Sequence, residues 1–292
     1  MDSLPRPGGV VTPPTPVPVI GPERTLLSRT VTALVGGALT VGLIMLGLPW
    51  LPVGVTVVVV IGLWEFYRMA ERAGYHPVWE AGIVGGVLFV AAAAYPSAWE
   101  PMLVPALLVY TMLVQLRGGR ADRALANAGV TLLGALYVGY LFSYLVRLRA
   151  LPFGAAHAAG PLPALLVVCV VWASDSAAYF VGLAWGRRKL LPTISPRKSL
   201  EGAAGGVAAG TFAGAAFAVI FGLPPAVGAV VGVVCALAAV CGDLWESAVK
   251  REVGVKDAGF VLPGHGGILD RFDGLLLAAV AGYAVMTWWP GR

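Results

Sequence analysis

Two short stretches of the chain place acidic side chains where helical spacing would gather them. In "CGDLWESAVKR", Asp243, Glu246 and Ser247 stand at i, i+3 and i+4. A helix presents all three on one face, with Lys250 and Arg251 a turn further on. In "LDRFDG", Asp270 and Asp273 repeat the i, i+3 step around Arg271. Carboxylate oxygens from two separate helices are hard ligands of the kind Mg2+ takes. Lys250, Arg251, Lys256 and Arg271 can neutralise phosphate oxygens. Between them "PGHGG", Pro263 to Gly267, offers a turn whose glycines let backbone N–H groups face a ligand. Phosphoryl or nucleotidyl transfer needs this set, because that chemistry rests on positioning and charge stabilisation.

Plainer explanations stand beside each piece. Asp243 to Arg251 would serve as a salt-bridge ladder at a helix end, Asp270 and Asp273 as helix N-terminal caps, and His265 as the donor of a turn-stabilising hydrogen bond. Capping takes one acid, however, and Gly242 beside Asp243 leaves room for a ligand or a backbone to approach.

Further polar residues lie in apolar surroundings. Asp175 in "VVWASDSAAYFVGLAWG" and Glu65 in "IGLWEFYRM" are carboxylates inside hydrophobic runs, and such groups mark functional sites by default. For Glu65, with Arg68 three residues on, an interfacial ion pair is the better expectation. The connection "GRRKLLPTISPRKSL" carries Arg187, Arg188 and Lys189 as one cationic cluster and Ser195, Arg197, Lys198 and Ser199 as another. "EGAAGG" then opens a helix whose N-terminus suits an anion. Arg187 to Lys189 need be no more than a loop touching lipid headgroups; Ser195 and Lys198 look more specific.

The elements that position these residues are transmembrane helices. The 292-residue chain is 58% hydrophobic and 12% charged, against about 25% charged in soluble domains, too little to build a polar exterior. Apolar runs near 30–48, 51–69, 81–98, 101–116, 126–147, 163–185, 201–221, 225–249 and 274–289 approach the roughly 20 residues that cross a bilayer. The expected fold class is therefore all-α, a polytopic membrane protein of about nine helices. An N-terminus on the cytoplasmic side places 17 of the 20 Lys and Arg on that side, all but Arg147, Arg149 and Arg292, as the positive-inside rule asks. The expected organisation is a disordered Pro-rich tail at 1–24, N-terminal transmembrane helices over 25–160 and a catalytic transmembrane region over 161–292. Cys169, Cys235 and Cys241 form no CxxC pair, so no zinc or disulfide framework is indicated. No oxidoreductase, haem or nucleic-acid signature appears.

Ser247, Val249, Lys250, Arg251, Lys256, Asp257, Gly259, Pro263, His265, Gly266, Gly267, Asp270, Arg271 and Asp273 together resemble the signature of the phosphatidate cytidylyltransferases, the CDP-diacylglycerol synthases. "SDSAAYFVG", "ISPRKSLEGAAGG" and "GDLWES" look like further blocks of that family, so the resemblance covers roughly residues 165 to 290. It implies a Mg2+-dependent enzyme that joins CTP to phosphatidate at the cytoplasmic face of the inner membrane, with pyrophosphate released. It points to Asp243 and Asp270 as metal ligands, with Glu246 and Asp273 beside them and potassium as a candidate for a second metal position. A homodimer is implied by the family alone. Lys250, Arg251, Lys256, Asp257 and Arg271 are then expected to be catalytic. Ser195, Lys198, Ser247, His265, Gly266, Gly267 and Asp175 are expected to bind substrate.

Two rivals remain at this stage. One is a CTP-dependent enzyme acting on another lipid, either a polyprenol kinase or a cytidylyltransferase of isoprenoid ether lipids. The other is a secondary transporter using Asp175 and Asp243, against which the lack of an internal repeat counts.

Overall fold

The computed structural model describes residues 26–117, 123–153, 159–259 and 266–289, with side chains from Thr30 onward. The tail at 1–24 and His265 lie outside the described residues. Helices α1 (Leu26–Leu46), α2 (Trp50–Arg72), α3 (Trp79–Ala94) and α4 (Leu103–Arg117) come first. Next is one continuous rod in which α5 (Ala124–Gly134) passes through a π-helical turn, Ala135–Tyr140, into α6 (Leu141–Ala150). Then follow α7 (Leu162–Trp185), a hairpin of β1 (Lys189–Leu191) and β2 (Ser195–Ser199), α8 (Leu200–Ile220), α9 (Pro225–Glu252) and α10 (Leu269–Trp288).

Each of the nine apolar runs falls on one of these rods. Five of the rods, α2, α5–α6, α7, α8 and α9, are long and apolar enough to cross a membrane; α1 from Thr30 and α3 are shorter apolar helices. The eighth run continues without a break into polar sequence: α9 extends through Asp243 and Lys250 to Glu252. Gly254, at φ +70°, ends it, with the Val255 N–H closing back on the Lys250 carbonyl at 2.9 Å. Glycine reaches that left-handed conformation without steric cost, and the turn points the chain into the polar loop. The all-α expectation missed the hairpin, because cations and two prolines hid an antiparallel pair that joins Lys189 to Ser199 and Leu191 to Ser195.

The second half is held together by small residues. Gly210 and Gly214 of α8 meet Gly232 and Gly228 of α9 so closely that a methyl group on any of the four would crowd the facing helix. With no hydrophobic drive between helices in lipid, such close backbone packing is a main source of association. At the start of α8, the Ser199 hydroxyl accepts from the Gly202 N–H at 3.1 Å, an N-cap. Glu201 accepts the N–H groups of Arg187 and Arg188, fastening the hairpin's base to the helix. The first half meets this unit through ring contacts, Phe142 on Phe272 at 5.2 Å and Tyr144 on Tyr283 at 5.3 Å, which lay α6 along α10.

Candidate active site

The centre of the site is the crossing of α9 and α10. Gly242 packs on the Asp273 carbonyl with no room for a side chain, so it is a backbone rather than a ligand that this glycine admits. The close approach sets Asp243 and Glu246 of α9 beside Asp273 of α10. One carboxylate oxygen from each of the three lies within 4.8 Å of the other two. Glu246 is 1% exposed. Its Oε2 accepts from Lys250 Nζ at 2.6 Å, while its Oε1 is buried with no hydrogen-bond partner among the described residues. A buried carboxylate oxygen without a donor, facing two more carboxylates, is costly unless a cation or a shared proton joins them. The donor set is all oxygen, which fits a hard divalent cation.

Lys250 is the bridge between the two acidic stretches. Its Nζ contacts Glu246 Oε2 and Asp270 Oδ1, each at 2.6 Å. The other Asp270 oxygen accepts backbone N–H groups from Ala258 at 2.9 Å and Gly267 at 2.8 Å. Asp270 therefore ties the ammonium, the loop after α9 and the first turn of α10 together. Where backbone N–H groups were expected to cradle a phosphate, that of Gly267 already serves a carboxylate. Gly266, at φ +83°, makes the turn that aims it.

The next two N–H groups go to a residue from the far end of the chain. Glu65 on α2 is fully buried. Its Oε1 accepts from Ile268 at 3.0 Å and its Oε2 from Leu269 at 2.9 Å. These are orphan donors at the N-terminus of α10, where a carboxylate is also favoured by the helix dipole. Gly259 and Gly267 press on the same carboxylate; a methyl group at Gly267 would stand 2.7 Å from Glu65 Oε2, and one at Gly259 would overlap Oε1. The expected ion pair with Arg68 is thus replaced. Arg68 instead lies over the Trp64 ring at 5.1 Å. Its three-residue spacing from Glu65 carried no information about a partner 203 residues away.

The hairpin supplies the third wall. Lys198 of β2 forms an ion pair with Asp243, and Arg251 Nε donates to the Ile194 carbonyl at 3.2 Å, fixing the hairpin to the end of α9. Asp175 on α7 lies within electrostatic reach of Asp243 and Lys198. Ser195 is half-buried on β2 and Ser247 half-buried on α9. In the segment after α9, Lys256 is exposed and Asp257 half-buried; Arg271 is exposed on the first turn of α10. Among the described residues neither Lys256 nor Arg271 has an ion-pair partner. The structure thus brings Asp243, Glu246, Lys250, Asp270, Asp273 and Lys198 into one cluster, with Asp175 at its edge. Glu65 and Ser199 are the contributors that sequence reasoning placed elsewhere or left without a role.

The cytidylyltransferase family profile matches residues 27–289. A protein from Synechocystis sp. named phosphatidate cytidylyltransferase is 32% identical over 277 residues, covering 86% of this chain and 93% of that protein. One of the same name from Brucella suis is 35% identical over 269 residues, covering 88% and 92%. One from Bacillus subtilis is 40% identical over 174 residues, covering 58% and 60%. The acidic crossing, the cationic hairpin and the capped loop all lie inside the matched region, and the chain belongs to the cytidylyltransferase family.

Proposed function

We propose that the chain is a phosphatidate cytidylyltransferase, which transfers CMP from CTP to phosphatidate and releases CDP-diacylglycerol and pyrophosphate. The observation that carries the reading is the Asp243, Glu246 and Asp273 cluster, with its unpartnered Glu246 oxygen beside Lys250. It sits in a chain that aligns almost end to end with a protein of that name.

The lipid's phosphate oxygen attacks the α-phosphorus of CTP. The bond from that phosphorus to the bridging oxygen breaks, and the electron pair leaves with pyrophosphate. A phosphate monoester is already anionic near neutral pH, so no strong protein base is required. Asp243, Glu246 and Asp273 are the residues that would hold Mg2+, with Asp270, the other acid the family resemblance points to, joining them once Lys250 turns to phosphate. Bound there, the ion neutralises triphosphate oxygens and favours departure of the leaving group.

The chain's own cations do the rest of the positioning. Lys250, Arg251, Lys256 and Arg271 share the phosphate charge. Asp257 contacts the ligand or orients Lys256 once substrate is bound, and Ser195 and Lys198 hold a phosphate from the hairpin side. Ser247, His265, Gly266 and Gly267 bind substrate, and Asp175 supports Asp243 and Lys198 or faces the same polar region. The family resemblance adds potassium as a second cation and a homodimeric assembly to the proposal.

The proposed setting is the inner membrane, crossed nine times with the N-terminus and the site on the cytoplasmic side, the catalytic region being residues 161–292. CTP arrives from water while the acyl chains stay in the leaflet. Purified protein given labelled CTP, Mg2+ and phosphatidate should move cytidine label into the organic phase. Label that stays aqueous with phosphatidate, or that moves only with an isoprenoid ether lipid, overturns the assignment; a polyprenol kinase would pass on the γ-phosphate and leave the cytidine in water.

A further inference from the structure

The π-helical turn Ala135–Tyr140 interrupts the α5–α6 rod at a point that no part of the reaction above uses. Turns of this kind re-aim side chains within an otherwise regular helix and concentrate at functional sites. Here the turn carries Tyr137, whose ring is 5% exposed. It packs at a tilt on Phe66, centroids 6.3 Å apart, next to the Glu65 anchor. The carboxylates that lie within electrostatic reach of its hydroxyl are those of the acidic cluster: Asp273, Glu246 and Asp243.

That hydroxyl is buried and has no hydrogen-bond partner among the described residues. Neighbouring tyrosines are matched. Tyr67 donates to the Thr131 carbonyl at 2.7 Å, and the hydroxyls of Tyr140 and Tyr144 meet at 3.1 Å. Buried tyrosine hydroxyls nearly always find a partner, so an unmatched one beside an acidic cluster indicates a partner that arrives with a ligand. An acidic cluster can hold a cation but offers no donor to an anion; a phenol O–H supplies one.

We infer that the Tyr137 hydroxyl donates a hydrogen bond to a phosphate oxygen of substrate bound at the α9–α10 crossing, which makes Tyr137 a catalytic residue contributed by the first half of the chain. The inference rests on the function proposed above. Phosphate oxygens come from two sources there, the nucleotide triphosphate and the lipid phosphomonoester, and the test separates them.

Tyr137→Phe removes the hydroxyl and keeps the ring. In detergent, binding of Mg-CTP alone and of short-chain phosphatidate alone is measured by calorimetry, followed by kcat and both KM values. Unliganded melting is recorded for both proteins. The expected result is a roughly tenfold to hundredfold loss, the size of one hydrogen bond to a charged group, with unliganded melting unchanged. Loss confined to CTP assigns the contact to the triphosphate, and loss confined to phosphatidate assigns it to the lipid. A fall in kcat alone assigns it to the transition state. Binding and rates all within twofold of wild type overturn the inference. So does lower melting of the unliganded variant, whatever its kinetics, since the hydroxyl would then have a partner within the fold. A wild-type protein that binds but transfers no label would instead fail the proposed function, leaving the binding comparison to decide on Tyr137.

Discussion

Glu65 and Glu246 are the same residue type, both on apolar helices, at 0% and 1% exposure, yet they are wired in opposite ways. Glu65 has both oxygens filled by consecutive backbone N–H groups of α10, and two glycines close over it. Glu246 has one oxygen on Lys250, the other without a donor, and two carboxylates for neighbours. The first arrangement is complete as it stands; the second needs a cation or a shared proton to complete it. Burial of an acid in an apolar helix therefore does not by itself separate scaffold from chemistry. The acceptor capacity left over does.

Substitutions can break that contrast, and the largest effect should come from the incomplete side. Asp243→Asn and Glu246→Gln should each lower label transfer by about a thousandfold or more while the protein still inserts and purifies, and Asp270→Asn, whose oxygens are filled but which holds Lys250 in place, should do the same. Near-normal turnover in any of them removes that residue from the cation site.

Metal removal is the next sharpest test. Adding Mg2+ at many times its dissociation constant should raise the melting temperature by linkage, and EDTA should reverse the rise. Asp273→Asn should abolish the shift; a variant that still responds in full would place the ion elsewhere.

The complete side should fail differently. Glu65→Gln turns an amide NH2 toward a backbone donor and should destabilise the fold by about 1–3 kcal/mol, read as lower melting, with Gly267→Ala behaving alike. Glu246→Gln should leave melting unchanged or raised. If the two glutamates give the same pattern, the distinction between them collapses.

Lys198→Ala should produce the smallest change, a rise of roughly tenfold in KM for one anionic substrate. Unchanged constants for both substrates would confine Lys198 to holding the hairpin against Asp243.

Sequence spacing carried the core of the site because the core is local. Asp243, Glu246 and Lys250 lie on successive turns of one helix, and Asp270 and Asp273 repeat the pattern on another, so periodicity alone predicts their faces. The apolar runs likewise predicted where the rods lie. What spacing could not carry was pairing between distant elements. Glu65 looked like the partner of Arg68 because local pattern has no access to the first turn of α10. Tyr137 carries no such signal, since nothing in "LYVGY" announces a π turn. The 186–200 connection was legible as cationic but not as a hairpin, and Ser199 was visible as polar but not as the cap of α8.

The length of α9 has a consequence for how the two substrates meet. Its 28 residues extend about 42 Å, beyond the roughly 30 Å of hydrocarbon. If Pro225 marks the far edge of the hydrocarbon, Asp243, about 27 Å along, stands at the near edge and Glu246 and Lys250 at headgroup depth, close to the phosphate of a lipid that has not moved out of its layer. Such a lipid reaches the site by lateral diffusion, a search in two dimensions. Its mole fraction in the bilayer, rather than its amount per volume of suspension, then governs how fast the site fills.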